Sequence, residues 1–280
     1  MPVSQHPARK TGTVLMSQLR TISLRSGDFD VKYYREGTGE HLLFLHSAGG
    51  LPAFTPELEA LSKRFTVTAP LLPGFGSGGE EHLHEEVQKL VFWGWDLLDA
   101  LEIERSLLVG HSFGRMLAAE MAATEPRRVK KLVLAAPAGL FLAEHPTLDF
   151  LAMTPDALVK AAFYDPQCEA AKALTTPPAD AAAATEAIVA RVRGLAAAGR
   201  FLWPNGDRGL NERLYRIKAP TLLLWGESDR IIPPVYADAF RRLLVGACSV
   251  RVQTIATAGH ALFAEQRQAA VDAIVDFCTD

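Results

Sequence analysis

The chain has 280 residues, 49% of them hydrophobic, which is typical of one large domain with a well-buried core. Its 29 basic and 32 acidic side chains give a net charge of −3, so the sequence lacks the basic excess expected of a nucleic-acid-binding protein. No uninterrupted apolar run approaches the roughly eighteen residues of a transmembrane helix, which argues against a membrane protein.

Cysteine usage and the N-terminal residues indicate the compartment. Cys168, Cys248 and Cys278 are far apart in the sequence and show no metal-ligand spacing. A sparse, odd number of cysteines favours a reducing compartment over a disulfide framework. The first twenty residues lack the apolar segment of a signal peptide, and we therefore expect a cytoplasmic protein.

Apolar segments alternate with helical segments along most of the chain. In chain order the predicted strands are Thr21–Leu24, Val31–Tyr34, Leu42–Leu45, Phe65–Ala69, Ser106–Val109, Lys131–Ala135, Thr221–Trp225 and Val250–Ile255. From the third onward they indicate parallel strands buried on both faces. The predicted helices are Thr55–Lys63, Glu85–Leu101, Phe113–Thr124, Val235–Leu244 and Ala261–Phe277. This alternation predicts an α/β fold with a doubly wound, mostly parallel sheet of about eight strands.

The interval from Ala136 to about Arg208 contains no convincing strand. It consists of alanine-rich helical pieces interrupted by prolines, and it is too long for a plain loop in a compact domain. We predict a helical cap at 137–208, inserted into a core domain formed by 1–136 and 209–280. An insertion at the carboxyl end of a strand would cover the crevice in which such sheets bind ligands.

The sequence Gly110-His111-Ser112-Phe113-Gly114 follows a predicted strand and precedes a predicted helix. A G-x-S-x-G motif in this context is typical of a nucleophile elbow, in which the serine lies on a sharp turn between strand and helix. The glycines leave room for neighbouring backbone, and the helix directs its N–H groups towards the serine oxygen. We therefore predict that Ser112 is a nucleophile.

A nucleophilic serine requires a base, and the base requires an acid that orients it. Two histidines follow Ser112 in the chain: His145, at the start of the insertion, and His260, in the loop after the last predicted strand. We predict His260 as the base and His145 as a solvated loop residue.

The acid is predicted in the loop that follows the strand ending at Trp225. Asp229 lies in this loop, at the carboxyl end of a buried strand, where such a sheet collects its functional groups. Glu227 is the nearby alternative, whereas Asp207 is typical of a polar turn.

The sequence resembles the α/β-hydrolase fold superfamily, specifically its capped, esterase-like members, from about Thr21 to the C-terminus. The resemblance lies in HSAGG (46–50), PLLPGFG (70–76), GHSFG (110–114), PTLLLWGESDRIIP (220–233) and AGH (258–260). It implies Ser112 as nucleophile, Asp229 as acid and His260 as base. It also implies that the backbone amides of Ala48 and Phe113 form the oxyanion hole.

Two departures from the family pattern lie near these residues. Ser47 replaces the glycine that usually follows the histidine, which we expect to tighten the loop while leaving its donors intact. Arg115 replaces a second glycine after the elbow. We interpret Arg115 as a surface residue; the alternative is that its charge reaches an anionic group of the substrate.

The resemblance implies a serine hydrolase that cleaves a small to medium carboxylic ester through an acyl-enzyme, without cofactor or metal, as a monomer or homodimer. Ser112 argues against haloalkane dehalogenases and epoxide hydrolases, which use aspartate. Ala261 argues against carbon–carbon hydrolases, which usually carry tryptophan after the histidine. The alternatives left open are a cofactor-free perhydrolase or haloperoxidase, an amide or carbon–carbon hydrolase, and a ligand receptor with vestigial turnover.

Two further groups of residues could bind a ligand: a pair of histidines and the apolar side chains of the insertion. His82 and His84 lie in a charged segment that we interpret as a solvated loop rather than a metal site. The insertion contains enough aromatic and methionine side chains to line a substrate pocket. We expect smaller residues at Met153, Phe163 or Trp203 to change substrate preference.

Overall fold

The computed structural model describes residues 17–27, 29–76, 86–203 and 207–280. The strands in these ranges are β1 (Arg20–Leu24), β2 (Phe29–Glu36), β3 (Glu40–Leu45), β4 (Phe65–Pro70), β5 (Ser106–His111), β6 (Val129–Ala135), β7 (Thr221–Gly226) and β8 (Val250–Ile255). The helices are α1 (Pro56–Ser62), α2 (Val87–Ala100), α3 (Phe113–Thr124), α4 (Pro155–Ala162), α5 (Glu169–Thr175), α6 (Ala181–Leu202), α7 (Tyr236–Leu243), α8 (Leu262–Glu265) and α9 (Arg267–Thr279).

These strands form one sheet in the order β1-β2-β4-β3-β5-β6-β7-β8. β2 is antiparallel to both of its neighbours, and every other neighbouring pair is parallel. Alternate residues of the central strands point to opposite faces of the sheet, and helices cover both faces, so these residues enter two different cores. In β3, Leu43 and Leu45 join the core beneath α2, α3 and α7, whereas Leu42 and Phe44 join the core beneath α1 and α9. The predicted fold class is confirmed.

Two elements differ from their predictions. β8 was expected to be buried on both faces, but most of its residues are exposed or half-buried because it lies at the edge of the sheet. The last helix, predicted as one segment, is divided into α8 and α9 by Gln266, whose φ of −129° and ψ of 52° are not helical. The interruption keeps α8 as a single turn beside the His260 loop.

The chain between β6 and β7 contains α4, α5 and α6, and no strand occurs in its described part. α6 is the longest of these helices, with 22 residues, and it begins where the Asp180 carboxylate accepts a hydrogen bond from the Ala183 amide. No helix within the described ranges is both long and apolar enough to cross a membrane. The division into a core domain and a cap at 137–208 stays a prediction.

The topology places the loops that follow β3, β5, β7 and β8 at one edge of the sheet. Parallel strands β3, β5, β7 and β8 all end at this edge, so the loops that follow them lie close together. The order of strands also reverses here, because β3 lies between β4 and β5. A reversal of this kind opens a crevice at the carboxyl ends of the strands, where α/β sheets bind ligands.

Candidate active site

Ser112 occupies a strained turn between β5 and α3. Its φ of 53° and ψ of −112° lie in a region that residues with a Cβ rarely adopt. Packing enforces the turn: a Cβ on Gly110 would lie 2.5 Å from the Arg115 Cα, and one on Gly114 would lie 2.1 Å from the Leu45 carbonyl oxygen. The two glycines of the motif are therefore required by close backbone contacts.

The side chains of Ser112, His260 and Asp229 form a continuous chain of hydrogen bonds. Ser112 Oγ lies 2.8 Å from His260 Nε2, and His260 Nδ1 lies 2.8 Å from Asp229 Oδ2. An ionised carboxylate only accepts, so His260 Nδ1 donates and Nε2 is left to accept from the serine hydroxyl. The geometry is that of a Ser–His–Asp triad, although these residues are 31 to 148 positions apart in sequence.

Asp229 is held in place by the backbone that follows it. The Ile231 and Ile232 amides both donate to Asp229 Oδ1, each at 2.9 Å, which leaves Oδ2 for the histidine. The Asp229 side chain is fully buried. It is therefore fixed in one orientation and shielded from water.

The alternative residues lie away from this chain of hydrogen bonds. Glu227 is exposed, as is His145. Asp207 closes a turn, because its Oδ1 accepts from the Gly209 amide at 2.8 Å. His82 and His84 lie outside the described residues, and within the described ranges no group of three or more metal-ligating side chains is arranged to hold an ion.

The loop after β3 is tied to the elbow through His46. His46 Nε2 accepts from the Leu72 amide at 2.9 Å and Nδ1 donates to the Ser47 carbonyl at 2.7 Å, so both ring nitrogens are used by the neutral ring. The Gly114 amide donates to the His46 carbonyl at 3.0 Å. Burial lowers the pKa of His46 to about 4.

The predicted oxyanion donors lie on the two segments that this network joins. Within the described residues, the Ala48 and Phe113 amides donate to no protein acceptor, so both are available to a ligand. Ser47 closes the turn that contains Ala48, because its Oγ accepts from the Gly49 amide at 3.1 Å. The serine at this position thus adds a hydrogen bond to the loop.

The neutral state of His46 predicts a loss of stability in acid. In the unfolded chain this histidine binds a proton near pH 6.5, whereas in the folded chain it does so only near pH 4. The unfolded state is therefore favoured as the pH falls from about 6.5 to about 4, by up to about 3 kcal/mol. Urea unfolding of the protein and of His46→Gln between pH 7 and pH 4.5 measures this effect. The variant should lose part of the pH dependence, and an unchanged slope would contradict the assignment.

Arg115 is not the surface residue that we predicted. It is fully buried, and its Nε donates to the Ser112 carbonyl at 3.2 Å. Burial lowers the pKa of the Arg115 guanidinium well below its ordinary value, and the nearby Asp229 carboxylate opposes this shift. The prediction was wrong because a long side chain can extend from the first turn of α3 into the protein interior behind the elbow.

The insertion is attached to the loops that carry Asp229 and His260. The Glu265 carboxylate accepts from the amides of Tyr164, Asp165 and Gly259, at 3.0, 3.0 and 2.7 Å. Arg230 Nη1 donates to carbonyls of the insertion, including that of Phe163 at 3.0 Å. Glu265 was not predicted from the sequence, because two of its three partners are backbone amides about a hundred residues away.

A cavity of about 40 Å³ opens at Ser112. Its lining is mostly apolar and includes Met116, Leu140, Phe150, Phe201 and Ile232. The lining also includes Glu120, whose buried carboxylate accepts from Arg213 Nε and Nη2 at 2.8 and 2.7 Å, which neutralises its charge.

The three residues of the insertion that we expected to set substrate preference are not among those that line this cavity. Phe163 is buried in a separate small core with Val159 and Ala171, Met153 packs on the main core, and Trp203 is more than half exposed. Two other aromatic residues of the insertion, Phe150 and Phe201, do line it. Composition identified aromatic side chains but could not distinguish those that face the cavity from those that pack elsewhere.

Comparison with known proteins identifies the family. A sequence model of the alpha/beta hydrolase family matches residues 42–273, so the chain belongs to this family. This confirms the resemblance inferred from the motifs. As a member of this family, the protein is a hydrolase.

Individual relatives differ in their reactions. The chain is 29% identical, over 82% of its length, to the dihydrolipoyllysine-residue acetyltransferase component of the acetoin cleaving system of Cupriavidus necator, of which it spans only 61%. It is 26% identical to the 2-hydroxy-6-oxo-2,4-heptadienoate hydrolase of Pseudomonas putida, over 90% of this chain and 94% of that protein. A crystal structure of a bacterial membrane phospholipase A has the same fold, with a TM-score of 0.76 and 23% identity over 94% of this chain and 86% of that one.

Proposed function

We propose that the protein hydrolyses a carboxylic ester of small to medium size through an acyl-enzyme, with Ser112 as nucleophile, His260 as base and Asp229 as the orienting acid. The observation that carries this proposal is the chain of two 2.8 Å hydrogen bonds that ends at Ser112 Oγ, on a strained turn beside an apolar cavity. Free thiols in all three cysteines agree with a cytoplasmic location, which we also propose.

In the first step the Ser112 oxygen attacks the ester carbonyl carbon while His260 Nε2 takes the hydroxyl proton. Asp229 stabilises the imidazolium that forms. The carbonyl oxygen becomes an oxyanion, and the Ala48 and Phe113 amides donate to it, a contribution of about 3 kcal/mol for each donor in comparable sites. The intermediate collapses as His260 Nε2 returns the proton to the leaving alcohol, and the acyl group remains on Ser112.

In the second step a water molecule replaces the alcohol. His260 Nε2 removes a proton from this water, whose oxygen attacks the acyl carbon. The second tetrahedral intermediate then releases the carboxylic acid, and the proton returns from His260 to the Ser112 oxygen. Each proton that is removed is returned, so the cycle requires no cofactor or metal.

The size of the cavity predicts a preference for short acyl chains. About 40 Å³ holds roughly three water-sized groups, which corresponds to acetyl to butyryl esters. In a series of p-nitrophenyl esters, we expect kcat/KM to be highest in this range. For the octanoate we expect kcat/KM to be lower by about tenfold or more. The octanoyl chain exceeds the available space.

Two variants test which residues set this preference. Phe150→Ala enlarges the cavity and should shift the optimum to longer chains, whereas Trp203→Ala, outside the cavity, should leave the profile unchanged. A profile that rises steadily to the octanoate would show that the cavity does not hold the acyl chain. Absence of Ser112-dependent hydrolysis of every ester would contradict the proposed function itself.

Carbon–carbon bond hydrolysis is the second candidate, because the Pseudomonas putida relative acts on 2-hydroxy-6-oxo-2,4-heptadienoate and shares nearly its whole length with this chain. Ala261, where such hydrolases usually have tryptophan, argues against it. Its amide donates to the Ala162 carbonyl at 2.9 Å, so this position joins the His260 loop to the insertion. Turnover of that dienoate with a kcat/KM above that of p-nitrophenyl butyrate would favour the second candidate.

A further inference from the structure

Arg115 combines two features that are costly in a folded protein. It is a cation with no solvent exposure, and its two terminal nitrogens, Nη1 and Nη2, have no hydrogen-bond partner in the described part of the chain. Burying a charged group without full pairing is strongly unfavourable, and arginine remains protonated in proteins. A residue that costs stability at this position calls for a functional explanation.

Among the described residues, the one side-chain hydrogen bond that Arg115 makes is directed at the elbow. Arg115 Nε donates to the Ser112 carbonyl at 3.2 Å, and the Arg115 backbone amide donates to the same oxygen at 3.1 Å. That carbonyl belongs to the peptide unit that joins Ser112 to Phe113. The N–H group of the same planar, trans unit is the Phe113 amide, which points to the opposite side.

We propose that Arg115 is a positioning residue for the oxyanion hole: by holding and polarising the Ser112 carbonyl, its guanidinium orients the Phe113 N–H and strengthens it as a donor. This inference rests on the proposed function, in which the Phe113 amide binds the oxyanion.

Two physical effects act in the same direction. A hydrogen bond to one end of an amide polarises it, and its other end becomes a stronger donor. The positive charge behind the elbow also favours negative charge on the substrate oxygen, and this charge is weakly screened because Arg115 is fully buried. Both effects increase when the carbonyl oxygen becomes an oxyanion, so Arg115 should favour the transition state over the bound substrate.

The test compares a ligand that forms an oxyanion adduct with Ser112 and a ligand that does not. A trifluoromethyl ketone forms a tetrahedral adduct with a nucleophilic serine and places a negatively charged oxygen in the oxyanion hole, whereas the matched alcohol forms no adduct. In Arg115→Met we expect kcat/KM for p-nitrophenyl acetate and affinity for the trifluoromethyl ketone to fall together, by about 10- to 100-fold. Affinity for the alcohol should change less than twofold, and the melting temperature should be unchanged or higher because a buried cation with two unbonded nitrogens is removed.

Two further variants complete the test. Arg115→Lys retains the charge without the Nε donor and should restore part of the loss. Arg216→Met is the matched control, because Arg216 Nε donates to the Ala123 carbonyl at the opposite end of α3, at 2.8 Å, and its removal should leave both affinities unchanged. If Arg115→Met does not fold, the affinities of Arg115→Lys for the two ligands provide the test. We then expect a loss of affinity for the trifluoromethyl ketone and none for the alcohol.

Two results would overturn the inference: catalytic constants of Arg115→Met within twofold of the unmodified protein, or an equal loss of affinity for both ligands together with a lower melting temperature. Either would assign Arg115 a structural role. Failure of the proposed function is a separate result, since the unmodified protein would then neither hydrolyse the ester nor bind the trifluoromethyl ketone in a Ser112-dependent way.

Discussion

Replacement of Ser112 by alanine should reduce kcat for p-nitrophenyl acetate by about 10⁶-fold, because no acyl-enzyme can form without the hydroxyl. In comparable triads a residual acceleration of roughly 10³ to 10⁴ over water survives, owing to the oxyanion donors and to substrate binding. Steady-state kinetics at high enzyme concentration measure the loss. The melting temperature should stay close to that of the unmodified protein, because alanine can be held in the same turn by the contacts of Gly110 and Gly114.

Ser228→Ala provides the control for this prediction. Ser228 lies in the loop that carries Asp229, and its hydroxyl makes no hydrogen bond within the described residues, so its removal should leave kcat unchanged. If Ser112→Ala retained more than about a hundredth of the activity, a different group would have to be the nucleophile.

Asp229→Asn should reduce kcat by about 10⁴-fold while the fold is retained. The Ile231 and Ile232 amides, which donate to Oδ1, require an oxygen at that position. The amide oxygen of asparagine would take it, and its NH₂ group would then face His260 Nδ1. Since both groups are donors, the imidazole would adopt the other tautomer, with its proton on Nε2, and could no longer accept the proton of Ser112.

Glu227→Gln is the matched comparison, because Glu227 is the other acid of the same loop. It is exposed and lies outside the triad, so most of the activity should remain. Steady-state kinetics of the two variants, with circular dichroism to confirm folding, rank the two acids. A larger loss in Glu227→Gln would transfer the orienting role to that residue.

Much of the fold was predictable because it depends on local patterns. Runs such as Leu42–Leu45 and Thr221–Trp225 indicate strands buried on both faces of a parallel sheet covered by helices, and the structure buries both between neighbouring strands of the sheet. The edge position of β8 was not predictable in this way. Its alternating residues suit a strand, but exposure depends on the order of strands in the sheet, which no local pattern encodes.

In the site, too, locally encoded features were predictable and those set by tertiary packing were not. The GHSFG motif predicts the elbow because its two glycines answer a local steric requirement, and chain order restricts the histidine to two candidates. The lining of the cavity could not be predicted, since it depends on how the insertion packs on the core. Arg115 was misinterpreted for a related reason: whether a side chain on the first turn of a helix points into solvent or behind the preceding strand is decided by tertiary packing.

Labelling with a serine-directed fluorophosphonate, followed by peptide mapping, tests the central claim most directly. An activated serine reacts with such a reagent far faster than the other serines of the chain, because His260 accepts its proton. The account predicts one adduct per chain, on the peptide that contains Ser112, and no adduct in Ser112→Ala. An adduct on another residue, or none in the folded protein, would contradict it.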